Sequence, residues 1–266
     1  ISDSTGETLD RIFLALKAQF ENFDYQTNQF SFTRTETQIK KIIEKADNNK
    51  NSIILYTIVN SKLAKFLTEE SIKKKIPCFG VLGDLILNFS KLLNQKATHE
   101  PSGQHVLNKE YYDRIEAIQF TMNHDDGNNN SDIEKSDIVL LGVSRTSKTP
   151  TSIYLANRGY KTSNIPLVNE YSIPEKITNT EFKPCIVGLI TEPGRLFDIR
   201  KNRLTSLKEV DKTEYTSIDE IKKELENSKK IFKQNNWPTI DVTRKSVEET
   251  AASIIKIYEI KNNKNA

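Results

Sequence analysis

A glycine, several hydroxyl side chains and a Lys-Thr pair lie together in residues 142–149. This segment follows a short apolar run, 138–141, that predicts a buried strand, and it precedes a helix predicted over 152–157. This order is typical of a P-loop, in which backbone N–H groups bind phosphates, the lysine neutralises them and the threonine hydroxyl holds Mg²⁺. The predicted phosphate site consists of Gly142, Val143, Ser144, Arg145, Thr146, Ser147, Lys148 and Thr149.

The loop departs from the usual P-loop pattern at one position. The pattern Gly-x-x-x-x-Gly-Lys-[Ser/Thr] has a second glycine before the lysine, where this chain has Ser147. Glycine is favoured there because the backbone must bend tightly and approach the phosphate closely. The lysine and threonine ligands are both present, so phosphate binding is still predicted. The alternative is an ordinary strand-to-helix connection with a surface lysine.

A histidine and two adjacent carboxylates, His124, Asp125 and Asp126, occur a short distance upstream. Mg²⁺ at nucleotide sites takes one or two carboxylates together with phosphate oxygens, so Asp125 and Thr149 are the predicted metal ligands. Asp125 or Asp126 could deprotonate an attacking hydroxyl, and His124 could act as a base or bind phosphate when charged. Lys148 completes the predicted catalytic set. The alternative is an acidic turn after a helix.

Three arginines, Arg195, Arg200 and Arg203, follow an apolar run at 185–190 that predicts a strand. Arginine suits phosphate because its planar group donates two parallel hydrogen bonds and its charge is fixed. Arg195 and Arg200 are therefore candidates for binding a second phosphate, whereas Arg203 is more typical of a solvated helix face.

A hydroxyl-rich loop at the start of the chain contains Ser4 and Thr5 and precedes a predicted helix. Helix N-termini bind anions, so these two residues are further phosphate-binding candidates. The alternative is a capping box, in which Ser4 and Glu7 only satisfy the first backbone groups of the helix.

Strands and helices alternate along the chain, which predicts an α/β fold with parallel sheets. The polar run 128–131 indicates a domain boundary. We therefore expect an N-terminal parallel α/β domain, residues 1–130, followed by a P-loop-containing, kinase-like α/β domain, residues 131–266. A helix is expected over 109–122, with Tyr112, Ile115, Ile118 and Met122 facing inward. The predicted strands are 29–33, 52–59, 76–82, 138–141, 164–168, 185–190 and 237–243.

The composition excludes several classes of partner. The 266 residues carry a formal net charge of only +3, which does not call for nucleic acid or a membrane surface. No apolar segment approaches the ~20 residues needed to span a bilayer. Cys78 and Cys185 lie in apolar runs without the clusters typical of zinc sites, so a cytoplasmic location is expected. Because the chain begins at Ile1 without an initiator methionine, we expect further residues before it.

Several blocks of the sequence together resemble the pyruvate, phosphate dikinase regulatory protein family, whose sister group regulates phosphoenolpyruvate synthase. The resemblance extends over essentially the whole chain. Gly194 is a departure, because family members more often carry an acidic residue there. The blocks that carry the resemblance are 2–8, 124–127, 142–150, 164–168, 187–189, 195–196, 199–200, 240–243 and 248–251.

The resemblance implies a bifunctional serine/threonine protein kinase and phosphorylase. In one direction, a phosphoryl group is transferred from ADP to a threonine near the catalytic histidine of the dikinase. This phosphorylation inactivates the dikinase. In the other, inorganic phosphate attacks the phosphothreonine, releases pyrophosphate and restores activity. The family's nucleotide-binding loop corresponds to residues 142–149, so Ser147 belongs to the family's own pattern. Mg²⁺ is an expected cofactor, the family suggests a homodimer, and the dikinase is favoured over the synthase as target.

Two other functions are compatible with the residues alone. A P-loop kinase that uses ATP on a small metabolite would need no protein substrate. A nucleotide sensor without enzymatic activity would bind nucleotide and a partner but transfer no phosphate.

Overall fold

The computed structural model describes residues 1–21, 23–49, 51–103, 107–128, 131–167, 172–179, 181–206 and 214–263. Within these ranges the chain forms ten α-helices and six strands, and every pairing between the strands is parallel. The predicted α/β class with parallel sheets is confirmed.

The chain divides into two compact units, Ile1–Val106 and Leu107–Ala266. The sequence predicted the boundary near residue 130. The segment that is assigned differently consists of one helix and the turn after it. That helix, Lys109–Asn123, packs against a helix and a strand of the second unit, which explains why it belongs there.

The first unit contains a short parallel sheet flanked by helices. Its core is formed by Ile39, Ile43, Ile54, Ile58, Leu67 and Ile76. Strands β1 (Ile54–Tyr56) and β2 (Cys78–Gly80) pair in parallel, and Ser2 forms an isolated parallel bridge with Thr57. In chain order, the elements are α1 (Glu7–Lys17), α2 (Glu36–Asp47), β1 (Ile54–Tyr56), α3 (Ser61–Lys73), β2 (Cys78–Gly80) and α4 (Gly83–Leu93).

The strand predicted over 29–33 is not formed, so this prediction was wrong. The segment does lie against the start of the chain: the Ser2 N–H donates to the Phe30 carbonyl and the Phe32 N–H to the Ser4 carbonyl, both at 2.9 Å. However, Phe32 has a φ of 53°. This left-handed conformation interrupts the extended backbone that a strand requires.

The second unit contains a four-stranded parallel sheet, in the order β4 (Thr162–Pro166), β3 (Ile138–Gly142), β5 (Cys185–Ile190) and β6 (Thr239–Asp241). Since β4 and β5 lie on opposite sides of β3, the connections leave the carboxyl ends of β3 and β5 in opposite directions. Open parallel sheets bind ligands at such a point. In chain order, the elements are α5 (Lys109–Asn123), β3 (Ile138–Gly142), α6 (Lys148–Ala156), β4 (Thr162–Pro166), α7 (Glu175–Thr178), β5 (Cys185–Ile190), α8 (Pro193–Ser206), α9 (Ile218–Gln234), β6 (Thr239–Asp241) and α10 (Val247–Asn263).

Strand β3 is buried on both faces, as its uninterrupted apolar sequence predicts. Val139 and Leu141 belong to a cluster that includes Phe232 of α9. Ile138 and Leu140 belong to a second cluster, with side chains from α6 and α10. Helices therefore cover both faces of the sheet at β3.

Helix α5 has the predicted bounds within one residue but a different buried face. Tyr112 and Met122, predicted to face inward, are 59% and 64% exposed, whereas Ala117 and Thr121 are fully buried. The Thr121 hydroxyl accepts a hydrogen bond of 3.0 Å from the N–H of Thr162 in β4. Because the helix lies this close to the edge strand, its buried face must consist of small side chains.

The pattern Ser-x-x-Glu also predicts capping boxes at Ser217 and Ser246, of which only the one at Ser246 is formed. The Glu249 N–H donates to the Ser246 hydroxyl at 3.1 Å and the Ser246 N–H to the Glu249 carboxylate at 2.8 Å, which caps α10. Helix α1 instead begins after Gly6, whose φ is 90°, without a side-chain cap. The Ser4–Glu7 box was therefore a wrong prediction, since the N-cap of the helix is Gly6, two residues after Ser4.

The close packing of β5 on α9 leads to a test of the core. A Cβ at Gly188 would lie 2.6 Å from the ring of Phe232, whereas a Cβ at Gly194 would meet nothing within 4 Å. We expect Gly188→Ala to lower the free energy of unfolding by about 1 to 3 kcal/mol, because a buried ring must move. Urea denaturation measures this. Gly194→Ala, on an open helix surface, is the control and should be neutral or stabilising; equal stability of the two variants would contradict the packing.

Candidate active site

The loop at the carboxyl end of β3 has an unusual backbone. Arg145 and Ser147 have φ values of 74° and 59°, both in the left-handed region. Ser147 thus adopts the conformation for which the P-loop pattern uses its second glycine, at a cost of about 1 to 2 kcal/mol for a residue with a Cβ. Helix α6 begins directly afterwards, so Lys148 and Thr149 lie in its first turn.

Gly142 allows the end of β3 to pack closely on β5. A Cβ there would lie 2.7 Å from the Thr146 hydroxyl and 2.8 Å from the carbonyl of Leu189. The Thr146 hydroxyl donates to the Val143 carbonyl at 3.0 Å. The first glycine of the pattern therefore has a steric reason, and the loop is closed by an internal hydrogen bond.

Lys148 is buried in the loop, with only 5% of its surface exposed. Its ammonium group donates to the Val143 carbonyl at 3.1 Å. Burial lowers the pKa of Lys148 from its ordinary value of 10.5 to about 8, while the charges of Asp126 and Asp125 oppose this shift. The lysine is thus still mostly protonated at neutral pH, and it lacks a direct ion pair with a carboxylate in the described part of the chain. A buried cation of this kind favours an incoming anion.

The acidic turn, residues 124–127, lies beside the first turn of α6. The Thr149 hydroxyl donates to Asp125 Oδ1 at 3.0 Å, and the side-chain amide of Asn164 donates to the same oxygen. The Asp126 N–H donates to Asn164 Oδ1 at 3.1 Å. The structure therefore brings together Lys148, Thr149, Asp125 and Asp126, as the sequence predicted, and adds Asn164. Thr149 and Asp125 offer oxygen ligands of the kind Mg²⁺ prefers.

His124 is buried and makes contacts on both sides of its ring. Its Nδ1 lies 2.7 Å from the Phe120 carbonyl and its Nε2 lies 2.8 Å from Asp132 Oδ1. The ring also stacks on Phe120, with centroids 3.8 Å apart. The hydrogen bond from His124 holds the pKa of Asp132 below its ordinary value. Because both ring nitrogens are engaged, this geometry favours a structural role in fixing the acidic turn over the predicted role as a base.

Arg200 is 1% exposed and reaches the loop from α8. It forms a two-pronged ion pair with Glu224 of α9, at 3.2 and 2.6 Å. It also donates to the carbonyls of Ser144, at 3.3 Å, and Tyr215, at 3.2 Å. Most of its donors are thus used to hold the loop. For the predicted contact with phosphate, only the N–H on Nε is available, because it has no partner among the described residues.

The other arginines differ in position. Arg145 is exposed within the loop, and its Nε donates to the Tyr215 hydroxyl at 3.3 Å. Arg195 and Arg203 are exposed on α8. Arg195 lies in the first turn of α8, just after β5, and its predicted phosphate role stays a prediction.

Ser4 and Thr5 lie in the first unit, where residues 2–8 line a cavity of about 190 Å³. The Ser4 hydroxyl accepts from Ser102 at 2.9 Å. Among the described lining residues are the carboxylates of Asp3, Glu7 and Glu100, and none is a lysine or arginine. This charge distribution does not favour the predicted binding of phosphate by Ser4 and Thr5.

Three residues that organise the site were missed by the sequence reasoning. Asn164 was assigned only to a strand, although an amide within an apolar run is a recognisable signal of a buried polar contact. Glu224 lies on α9, far from the loop in sequence, and nothing in its neighbourhood pointed to Arg200. Asp132 directly follows the polar run 128–131 and was given no role.

Comparison with known proteins identifies the family of this chain. The profile of the Kinase/pyrophosphorylase family matches residues 1–255, and the chain belongs to this family. A relative from Pelagibacter ubique (strain HTCC1062) is 68% identical over 99% of this chain and 96% of its own length. Relatives from Erythrobacter litoralis (strain HTCC2594) and Wolbachia sp. subsp. Brugia malayi (strain TRS) are 43% and 42% identical, each over 97% of this chain and over 92% and 95% of their own lengths. All three carry the provisional name pyruvate, phosphate dikinase regulatory protein.

The resemblance to this family drawn from the sequence blocks is therefore confirmed. Among the described residues, none of the helices is long and apolar enough to cross a membrane.

The buried lysine gives a pH-dependent test. Because the pKa of Lys148 is about 8 in the folded chain and 10.5 ordinarily, the unfolded chain binds more protons between these values. Wild type should therefore gain stability relative to Lys148→Met as pH rises from 8 to 10.5, at up to about 1.4 kcal/mol per pH unit, with a constant difference below pH 8. Urea denaturation across this range measures it. The exposed Lys256→Met is the control, and a Lys148→Met difference that stays flat would contradict the burial.

The ion pair that holds the loop gives a second test. Glu224→Gln leaves the buried Arg200 guanidinium without its carboxylate, so we expect a loss of about 1 to 3 kcal/mol in the free energy of unfolding. Glu226→Gln, on the exposed side of the same helix, should change stability by less than about 0.5 kcal/mol. If thermal and urea unfolding showed the two variants to be alike, the pair would not hold this part of the structure together.

Proposed function

We propose that this chain is a bifunctional enzyme that regulates a pyruvate, phosphate dikinase, by ADP-dependent phosphorylation and phosphate-dependent dephosphorylation of a threonine. The observation that carries the proposal is the buried Lys148 in the first turn of α6, where the charges of Asp126 and Asp125 act on it. Membership of the Kinase/pyrophosphorylase family and the names of the relatives supply the reaction class and the partner.

The loop is the proposed ADP site, and the second unit is the proposed P-loop-containing domain. The N–H groups of Lys148 and Thr149, the first two residues of α6, have no acceptors within the helix, so they can bind phosphate oxygens. Lys148 would neutralise the same phosphates, and the low polarity around it strengthens that attraction. A strand, a strained loop and a helix with lysine at its start therefore support a diphosphate as the ligand.

In the kinase direction, the oxygen of the target threonine attacks the β-phosphorus of ADP. The new O–P bond replaces the bond to the oxygen that bridges the two phosphates, and AMP leaves. The hydroxyl proton passes to a carboxylate of the acidic turn. In the phosphorylase direction, an oxygen of inorganic phosphate attacks the phosphorus of the phosphothreonine, the bond from that phosphorus to the threonine oxygen breaks, and pyrophosphate is the product. The proton of the attacking phosphate passes through the same carboxylate to the threonine oxygen.

We assign the proton transfer to Asp126 and a supporting role to Asp125. Asp125 is half-buried and its Oδ1 already accepts hydrogen bonds from Thr149 and Asn164. Asp126 is exposed, and its charge is the larger of the two influences on Lys148. An exposed carboxylate beside the phosphate site can reach a substrate hydroxyl, whereas a tied one is better suited to a metal ion.

Thr149 and Asp125 fit a Mg²⁺ ion that also binds the nucleotide phosphates. When bound, the ion would neutralise negative charge on the transferred phosphoryl group. Two protein oxygens are sufficient because Mg²⁺ keeps several water and phosphate ligands.

The decisive experiment uses ADP labelled in its β-phosphate. Purified protein is mixed with dikinase or with phosphoenolpyruvate synthase, and the label is followed to a threonine by mass spectrometry. Transfer to the dikinase from ADP and not from ATP supports the proposal, and transfer to the synthase changes the target. Label on a small molecule would identify a metabolite kinase, and binding without transfer would identify a sensor.

Variants then test the assigned residues. Lys148→Ala and Asp126→Asn should each lower the rate of transfer by about a hundredfold or more, because each removes a group that acts on the reacting atoms. Asp198→Asn, an exposed carboxylate on α8, is the matched control and should retain full activity. Full activity of Asp126→Asn in both directions would refute the assignment of the base.

A further inference from the structure

Asn164 is a polar residue in a position that otherwise suits an apolar one. It lies in the middle of β4, directly opposite Leu140 of β3, and is 1% exposed. The next residue, Ile165, belongs to the core. Burying an amide without partners costs several kcal/mol, so its hydrogen bonds must be made inside the protein.

Those hydrogen bonds all go to the acidic turn. The side-chain N–H₂ donates to Asp125 Oδ1, and the side-chain oxygen accepts from the N–H of Asp126 at 3.1 Å. The Asn164 backbone N–H donates to the His124 carbonyl at 3.2 Å. Because a carboxylate can only accept and a backbone N–H can only donate, these partners also fix which way the amide faces.

The contact to Asp126 stabilises an unfavourable backbone. Asp126 has φ 51° and ψ 33°, in the left-handed region, without being a glycine. Such a conformation persists when the surroundings hold it in place. The Asn164 oxygen does so at one side of the residue, and Gly127, with φ 74°, continues the turn at the other.

We propose that Asn164 is a positioning residue that gives the two carboxylates their separate roles. Its donor side holds Asp125 against Thr149, and its acceptor side presents Asp126 at the phosphate site. This inference rests on the proposed function for its consequence in catalysis, but its structural content can be measured without any activity.

Only an amide of this length can make both contacts. Asn164→Asp keeps the shape and an oxygen for the Asp126 N–H, but it loses the donor and places a second negative charge against Asp125. Asn164→Leu keeps the volume and loses both contacts. Ser163→Ala is the matched control, because Ser163 is the preceding buried residue of the same strand and bonds to Ser136 at 2.7 Å.

The kinetic test separates positioning from a general loss of structure. We expect Asn164→Leu and Asn164→Asp to lower kcat by about a hundredfold, as misplaced groups do, while KM for ADP stays within about twofold of wild type. Ser163→Ala should keep wild-type kcat. If kcat of Asn164→Leu equalled that of wild type, or if kcat and KM of the two variants changed only as much as those of Ser163→Ala, the inference would be overturned.

A second measurement does not depend on the reaction. Hydrogen exchange of the Asp126 amide, followed by NMR, should be slow in wild type, Ser163→Ala and Asn164→Asp, all of which retain an acceptor, and at least tenfold faster in Asn164→Leu. An unchanged exchange rate in Asn164→Leu would overturn the inference. If wild type transfers no phosphate to any protein, the proposed function fails, and the exchange rates alone decide whether Asn164 positions the turn.

Discussion

The burial of the Lys148 ammonium group is the constraint on which the site depends. A cation removed from water is unfavourable unless its surroundings compensate, and here the compensation is incomplete: a loop carbonyl at 3.1 Å and two carboxylates that act through space. The sheet makes this arrangement possible, because helices cover both of its faces at β3 and leave the end of that strand for polar groups. The acidic turn, the hydroxyl of Thr149 and the network around Arg200 all lie where they surround this one charge.

Two buried cations donate to carbonyls of this loop, Arg200 from α8 and Lys148 from α6, and they differ in their other partners. Arg200 has a carboxylate of its own, Glu224, and its charge is matched within the protein. Lys148 faces carboxylates that are already engaged or exposed. The first arrangement is stable and holds the loop; the second leaves attraction for an anion. A bound phosphate would neutralise the charge of Lys148 as Glu224 neutralises that of Arg200.

Much of the site could be predicted from the sequence because its parts are local. The loop residues are consecutive, and the pattern of strand, loop and Lys-Thr implies its own geometry. The sequence assigned Thr149 and Asp125 to one site, and the structure joins them by a hydrogen bond. What could not be predicted depends on contacts between distant segments. The face of α5 was misjudged because large apolar residues were assumed to point inward, whereas the approach of β4 required Ala117 and Thr121.

The left-handed residues of the loop have a consequence for its entropy. A glycine at the position of Ser147 would adopt this shape without strain, but it would also give the unfolded chain many more conformations to lose. A residue with a Cβ loses less freedom on folding, an effect of about 0.4 to 1 kcal/mol that offsets part of the local strain. In the folded chain, the hydrogen bonds from Thr146 and Arg200 to loop carbonyls hold the loop in this shape. Association with an anion then requires little ordering of the backbone, and its rate should be governed by diffusion and charge rather than by rearrangement of the loop.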